Sequence, residues 1–230
     1  MRTTKGGRLA AWVLALALLL GAGPGAWAAE AAKSVAVTVK ATGEVFLAAG
    51  GGKTEKALKT GDRLNDGDRV RTGADGRAVL VFTDDKSQLK LTPQTDLVLH
   101  AKRAGNRTDK EVELSTGTLW SKVTRQQGEF RIATPTSVAS VKGTAWWTRT
   151  NPALTEIITE EGIVALLSRR TGESVDVVMG RTGSSDGDHS NVRETTPDDQ
   201  QGLERGELRR IVMPITDGDQ TRELIIEYYE

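Results

Sequence analysis

The chain has 230 residues, with 31 basic and 31 acidic side chains and no cysteine. The absence of cysteine excludes a disulfide framework and a lipid attached through a cysteine. The balanced charge gives no broad electrostatic attraction for nucleic acid or for an anionic membrane surface. A hydrophobic content of 37% with 4% aromatic residues favours a modest all-β domain over a large enzyme.

Residues 1–28 have the pattern of a secretory signal peptide. Three basic residues precede an apolar run at 9–20, and an Ala-Trp-Ala site follows at 26–28. This pattern predicts a cleaved signal and a product in the periplasm or outside the cell. The run is shorter than the about 20 apolar residues of a spanning helix, so we expect no stable membrane span after cleavage. An uncleaved anchor is the alternative.

Short segments that alternate between polar and apolar residues follow one another from 35 to 180. In Leu89-Lys90-Leu91, for example, the two leucines fall on one side and the lysine on the other. No stretch of helical period interrupts these segments. The pattern predicts an all-β fold, with one domain of many short strands at 35–180 in a β-solenoid-like roll. A β-sandwich or a barrel is the alternative.

Two Gly-Asp pairs, Gly61-Asp62 and Gly67-Asp68, are each followed two positions later by an aliphatic residue. Glycine permits a tight bend, and an aspartate beside it can bond to its own backbone. We therefore interpret both pairs as structural corners. The alternative is a pair of carboxylates for metal binding or acid–base chemistry.

A second group of bends lies in the middle of the chain. The corner Thr134-Pro135 and the step Gly143-Thr144 separate two alternating strands at 129–133 and 144–148. Proline cannot donate to a strand ladder, and glycine adopts backbone angles closed to other residues, so the chain must bend at both places. Gly162 similarly precedes a strand. We predict structural turns at all of these residues.

Several motifs in this order resemble the periplasmic domain of the FecR family. They are a Gly-Asp-rich segment at 58–82, Gly-Thr-Leu-Trp at 117–120, Phe-Arg-Ile-Ala-Thr-Pro at 130–135, Val-Lys-Gly-Thr at 141–144 and Glu-Gly-Ile-Val at 161–164. The resemblance covers residues 37–180. One departure follows Phe82: the family's usual Asp-Gly-Ser turn is replaced by Asp84-Asp85-Lys86-Ser87, so this hairpin must use another left-handed residue.

The resemblance implies a periplasmic domain of a signalling system. Full regulators of the family also have a cytoplasmic domain that binds a sigma factor and a single membrane helix. In this chain the signal peptide leads directly to the periplasmic domain. We therefore expect neither the sigma-binding part nor the span.

Trp146 and Trp147 are adjacent on a predicted strand, so their rings face opposite sides. The outward ring, together with Trp120, is a candidate contact for a macromolecular partner, since exposed aromatic residues concentrate binding energy. Packing beneath a neighbouring loop is the alternative interpretation.

Reactive side chains form no recognisable motif. His100 and His189 are isolated, and Asp186-Gly-Asp188 does not continue into a full set of calcium ligands. No base or strained elbow accompanies the serines near Thr134. We predict no catalytic residue, no metal site and no cofactor.

Residues 181–206 contain almost no apolar side chain, which predicts a flexible polar loop. The C-terminal extension, 207–230, ends with an apolar segment, Glu223–Tyr229, that reads as a strand. We expect this terminal strand to pair with the sheet of the domain or with the edge of a partner's sheet.

These observations favour an exported, non-enzymatic domain that binds a protein or another component of the cell envelope. It would present one solvated sheet face or an edge strand. A regulator acting in trans on a membrane-bound anti-sigma or receptor system is the alternative. An enzyme acting on envelope polysaccharide or peptide would need two acids across a groove, chosen from Glu129, Glu160 and Glu161. The oligomeric state is left open.

Overall fold

The computed structural model describes residues 34–105, 107–124, 128–203, 206–217 and 220–229, without the side chains of 213–222 and 224. The predicted signal peptide, 1–28, lies outside the described residues. Within them, no helix has the length and apolar character needed to cross a membrane.

Strands dominate the described residues, which confirms the predicted all-β fold. A 3-10 turn (Ala49–Gly51) and one short helix, α1 (Pro197–Gln200), accompany them. The strands are β1 (Ala36–Thr42), β2 (Val45–Ala48), β3 (Glu55–Ala57), β4 (Arg63–Leu64), β5 (Arg69–Thr72), β6 (Arg77–Phe82), β7 (Gln88–Leu91), β8 (Asp96–Ala104), β9 (Arg107–Val123), β10 (Phe130–Ala133), β11 (Ser137–Val141), β12 (Thr144–Thr150), β13 (Thr155–Glu161), β14 (Ile163–Ser168), β15 (Ser174–Val178), β16 (Arg181–Ser185), β17 (Ser190–Glu194), β18 (Leu208–Asp217) and β19 (Gln220–Tyr229).

Seventeen of these strands join into one sheet that runs through two layers and is not closed into a barrel. In layer A the spatial order is β4, β1, β6, β7, the second half of β9, β12, β13, β16 and β17. In layer B it is β3, β2, β5, β8, the first half of β9, β10, β11, β14 and β15. From β10 onward, successive strand pairs alternate between the two layers: β10 and β11 are in layer B, β12 and β13 in layer A, β14 and β15 in layer B, and β16 and β17 in layer A.

The long strand β9 crosses from layer B to layer A at Gly117. Residues 107–116 pair with β8, whereas 117–123 pair with β12. Gly117 has φ of 109°, and a Cβ there would lie 2.5 Å from the Cα atom of Thr95. Only glycine can therefore make this crossing without moving the neighbouring backbone.

One hydrophobic core lies between the layers, because the alternating strands turn their apolar sides toward each other. Leu89 and Leu91 belong to this core, as their spacing predicts. Phe130 of layer B makes edge-on contacts with Phe82 and Trp146 of layer A, at centroid distances of 5.8 and 6.0 Å. These rings join the two layers near the middle of the molecule.

The two Gly-Asp corners have similar local geometry. Gly61 and Gly67 have φ of 91° and 80°. The carboxylate of Asp62 accepts the backbone N–H of Lys59 at 2.9 Å, and that of Asp68 accepts the N–H of Asn65 at 2.8 Å. Each aspartate therefore closes its own turn, and the strand residue that follows each turn, Leu64 or Val70, is fully buried.

The hairpin between β6 and β7 uses Lys86 as its left-handed residue, with φ of 62°. Asp85 accepts hydrogen bonds from the backbone N–H of Ser87 at 2.9 Å and from its hydroxyl at 2.8 Å. These bonds hold the turn in the place where the family pattern has a glycine.

The prediction of a flexible loop at 181–206 is wrong for most of this segment, which contains β16, β17 and α1. Its first part forms β16 and β17, and β16 pairs with β13 at the end of layer A. Asp199 of α1 accepts two hydrogen bonds from Arg193, at 2.5 and 2.6 Å, and another from the backbone N–H of Thr196. A segment with few apolar residues is thus ordered by ladder and side-chain hydrogen bonds, which its composition does not reveal.

The terminal strand also differs from its prediction. Its backbone pairs along the whole length with β18, in a separate two-stranded sheet. This hairpin lies against the outer face of layer A, where Ile226 and Tyr228 pack on four valines. The valines are Val37, Val39, Val79 and Val81. The hairpin supplies its own partner strand, so side-chain packing rather than edge pairing holds it to the domain.

Candidate functional site

The two adjacent tryptophans of β12 face opposite sides of layer A, as predicted. Trp146 belongs to the core between the layers, whereas Trp147 lies on the outer face. Trp120 of β9 is directly opposite Trp147 in the antiparallel register. Trp120 and Trp147 therefore form one aromatic cluster, joined by Ala145 and Ile158.

This cluster is covered and does not form an exposed contact. Trp120 is 1% exposed and Trp147 is 2% exposed. Leu203 and Tyr229 pack over it, and the ring of Tyr229 meets that of Trp120 edge-on at 5.2 Å. The structure thus corrects the proposed surface role of these two tryptophans, because C-terminal segments of the same chain occupy the position expected for a partner.

Glu160 anchors both indoles from β13. One carboxylate oxygen accepts the Trp120 Nε1–H at 3.1 Å, and the other accepts the Trp147 Nε1–H at 3.0 Å. Glu129, a possible second acid for an enzyme, precedes β10 in layer B. The fold therefore does not gather these two acids in one groove.

A cleft of about 460 Å³ lies beside this cluster, between β13 and the segment that contains α1. Trp147, Glu160, Met179, Gln200 and Leu203 are among its lining residues. The volume is in the range of small-molecule sites. Trp147 presents only a small fraction of its surface there, so the cleft lacks an open aromatic platform for stacking.

The Thr134-Pro135 corner closes around buried hydroxyl groups. The Thr155 Oγ1 lies 2.7 Å from the hydroxyls of Thr134 and Thr136 and 3.0 Å from that of Thr150. Thr134 also accepts the backbone N–H of Ser137 at 3.0 Å. These hydroxyls form hydrogen bonds with one another and with nearby backbone carbonyls. The threonines therefore stabilise the corner.

The Gly143-Thr144 step and the Gly162 turn lie against each other. Gly143 has φ of 128° and Gly162 has φ of 77°. A Cβ on Gly162 would come within 2.9 Å of the Gly143 carbonyl oxygen. The Thr144 hydroxyl donates to the Ile163 carbonyl at 3.2 Å. The two glycines allow the turns before β12 and β14 to approach closely.

The histidines stay apart. Nδ1 of His100 is 3.6 Å from Asp66, and its Nε2 is 3.7 Å from Glu113. His189 is largely exposed, 3.6 Å from Asp186. Across the described part of the chain, no group of three or more potential metal ligands is found.

A buried lysine is the main polar feature that the sequence analysis missed. Lys110 Nζ lies 2.9 Å from Asp84 and 2.7 Å from Asp85, and 5.0 Å from the ring centre of Phe82. Its side chain is almost fully buried. The alternation of the strand could have indicated that this lysine points inward. Its partners, Asp84 and Asp85, become known only from the fold.

The outer face of layer B carries a row of charged pairs whose side chains are partly exposed. Arg69 binds Asp96, and Arg71 binds Glu55 with a contact of 2.6 Å. Further along this face, Arg131 approaches Glu111 at 3.4 Å. We call this row, with His100 and Glu113, the charged face.

Comparison with known proteins identifies the central part of the chain. Residues 68–165, from β5 into β14, match the model of the family described as FecR protein. The chain contains a FecR domain. This domain includes all three candidate tryptophans and the charged face apart from Glu55, and it ends before β15, α1 and the C-terminal hairpin. The family is regulatory and not enzymatic.

Two crystal structures are similar to part of this chain. Both are of "a putative anti-sigma factor from Parabacteroides distasonis ATCC 8503", with 12% sequence identity and a TM-score of 0.48. Each alignment covers 57% of this chain and 61% of the solved chain. The chain thus spans less than two thirds of these structures. No curated protein matches it.

Proposed function

We propose that this protein is an exported, non-enzymatic regulator that acts by binding a protein or another macromolecule of the cell envelope. The FecR domain at 68–165 is the observation that carries this proposal. The N-terminal signal pattern supports export.

The charged face of layer B is the surface that fits this role best. The C-terminal hairpin and the segment around Leu203 cover much of the outer face of layer A. The charged face, in contrast, presents guanidinium and carboxylate groups from neighbouring strands of one rigid sheet. Ordered charges of this kind steer a partner and select it, even where each exposed ion pair adds little stability.

A role in signal transmission is the more specific form of the proposal. In it, the bound partner is a membrane protein of an anti-sigma or receptor system, and the chain acts on it in trans. This version predicts a changed transcript profile when the gene is deleted. An unchanged transcript profile would exclude the signalling role but not the binding role.

The binding proposal is tested with two matched charge reversals. Arg131 and Arg181 have equally exposed side chains, but Arg131 is on the charged face and Arg181 is on layer A. Cross-linking in intact cells, followed by mass spectrometry, should identify the same partner with the wild type and with Arg181→Glu. We expect Arg131→Glu to lose that partner while its unfolding temperature stays near that of Arg181→Glu. Equal cross-linking by both variants would exclude the charged face.

A further inference from the structure

A second cleft lies between the C-terminal hairpin and the outer face of layer A, beside the turn that joins β6 and β7. Its volume is about 440 Å³, enough for a small organic molecule. We call it the hairpin cleft. Its lining includes a buried amide, two lysines and three apolar or aromatic side chains, namely Gln88, Lys86, Lys122, Leu208, Ile225 and Tyr229.

Gln88 is the most specific polar group of the hairpin cleft. It is only 9% exposed, and its side-chain N–H donates to the backbone carbonyl of Glu227 on β19. This bond fixes the direction of the amide. The other end of the amide, Oε1, is buried, and among the described residues no group donates a hydrogen bond to it. A buried acceptor without a donor costs free energy, so a ligand that brings an N–H or O–H group is stabilised there.

Two lysines bring positive charge to the hairpin cleft. Lys122 is directly opposite Gln88 in the register of β7 and β9, so their side chains are neighbours on the outer face of layer A. Its Nζ lies 5.4 Å from the ring centre of Tyr229. Lys86, in the adjoining turn, is exposed. In the described part of the chain, neither lysine has a carboxylate within ion-pair distance.

The carboxylates at the hairpin cleft already have cations of their own. Asp85 is 2.7 Å from the buried Lys110. Glu227 is 2.5 Å from Arg210, which is opposite it on the same rung of the hairpin. The two lysines of the cleft are therefore the charges that a ligand meets, and they favour an anionic group.

The hairpin supplies the apolar part of the lining. Leu208 and Ile225 are 56% and 48% exposed although both line the cleft, and the Tyr229 side chain lines it with them. These side chains lose more contact with water when an apolar group fills the cleft, which is the usual source of affinity in small-molecule sites.

We infer that the hairpin cleft binds an acylated apolar amino acid with a free carboxylate, which is the chemistry of the C-terminal end of a peptide. The amide N–H of the ligand donates to Oε1 of Gln88. Its carboxylate pairs with Lys122 and Lys86, and its side chain packs against Leu208 and Ile225. This site is on layer A, so the inference does not depend on the proposed role of the charged face.

A ligand in the hairpin cleft contacts the hairpin and the turn between β6 and β7 at the same time. Binding therefore stabilises the docked position of the hairpin, because a ligand raises the population of the arrangement that it binds. The unfolding temperature should rise as ligand is added.

Three matched probes test which groups of the ligand are recognised. N-acetylphenylalanine carries all three groups, its carboxamide lacks the anion, and O-acetylphenyllactate has an ester oxygen in place of the amide N–H. In an NMR titration of the purified protein, we expect saturable binding of N-acetylphenylalanine, with shifts in the side-chain amide signals of Gln88. The other two probes should bind at least about fivefold more weakly.

Substitution of the lysines tests the site from the side of the protein. Lys122→Met and Lys86→Met should each weaken binding of N-acetylphenylalanine by about threefold to tenfold. Neither should change binding of the carboxamide, because that probe has no charge for a lysine to pair with. Lys142→Met is the control, since Lys142 is exposed and lies outside the cleft. It should bind all three probes like the wild type.

Four outcomes would overturn the inference. The first is no saturable binding of N-acetylphenylalanine up to about 10 mM. The second is equal binding of the acid and its carboxamide, which would indicate an apolar contact only. The third is equal binding of the amide and ester probes, which would show that water serves Gln88. The fourth is a lysine variant that weakens the acid and the carboxamide alike, which would place the lysine's effect on the hairpin instead of on the ligand.

Discussion

At the scale of single residues, Glu160 has an unusual position beneath the C-terminal segments. Its two carboxylate oxygens accept hydrogen bonds from two different indoles, Trp120 and Trp147. A carboxylate is well suited to this place because both of its oxygens are acceptors. The arrangement orients the two rings that Leu203 and Tyr229 cover.

Glu160→Gln should disturb this arrangement although the side chain keeps its shape. The amide can accept only one of the indole N–H groups, and its NH₂ faces the other donor. We expect a loss of about 1–2 kcal/mol in the free energy of unfolding, measured by denaturant titration, with a shift in tryptophan emission. Glu161→Gln is the control, because Glu161 is the exposed neighbour. Equal stability of the two variants would contradict this role.

Lys110 has a comparable role inside the domain. Its ammonium group ties β9 to the turn between β6 and β7 through Asp84 and Asp85. The two carboxylates remain partly accessible, which moderates the cost of losing their partner.

Lys110→Met should destabilise the protein by about 2–3 kcal/mol, since it leaves two acidic groups without their cation. Lys102→Met, on the exposed part of the neighbouring strand β8, should change stability little. Thermal unfolding of both variants measures the difference. A Lys110→Met protein as stable as the control would show that the ion pairs contribute little.

At the scale of elements, the segment 181–203 behaves as part of the sheet. Asp199 fixes its end by accepting hydrogen bonds from Arg193 and from Thr196. The Arg193 guanidinium, followed by the hydrogen bonds from Thr196, holds the pKa of the Asp199 carboxyl well below its usual value. A lowered native pKa means that the ionised form stabilises the fold.

Asp199→Asn should loosen α1 and cost about 1–2 kcal/mol at neutral pH. Because the native pKa is lowered, the contribution of Asp199 is complete above its unfolded pKa of about 4 and is lost as the pH falls toward the native pKa. The difference in stability between wild type and variant should therefore shrink below about pH 4.

Limited proteolysis at neutral pH gives an independent measurement of this element. The wild type should resist cleavage within 181–200, and Asp199→Asn should be cut there earlier. A variant that is equally resistant, with a stability difference that does not depend on pH, would contradict the proposed anchor.

At the scale of the whole molecule, the C-terminal hairpin decides which faces are available. It covers the valines of layer A. On layer B, the side chains of Arg69, Arg71 and Arg131 are 38% to 44% exposed. The proposed binding role of the charged face rests on this difference between the two layers.

Much of the fold could be predicted from local patterns. Alternation identified the inward leucines of β7 and the opposite orientations of Trp146 and Trp147, because side-chain direction along a strand depends only on neighbouring residues. The glycines at the corners could be predicted for the same reason, because a tight bend depends on the local backbone conformation. The family resemblance was carried by the same local motifs.

Local patterns were sufficient to predict the strand composition, the faces of single strands and the FecR resemblance. Three features became known from the assembled fold: 181–200 is ordered, the terminal strand pairs with β18, and Lys110 meets Asp84 and Asp85. These features depend on contacts between residues far apart in the chain. Composition and spacing do not contain the register between such segments, so burial, ion pairs and covered faces become known only when the layers are assembled.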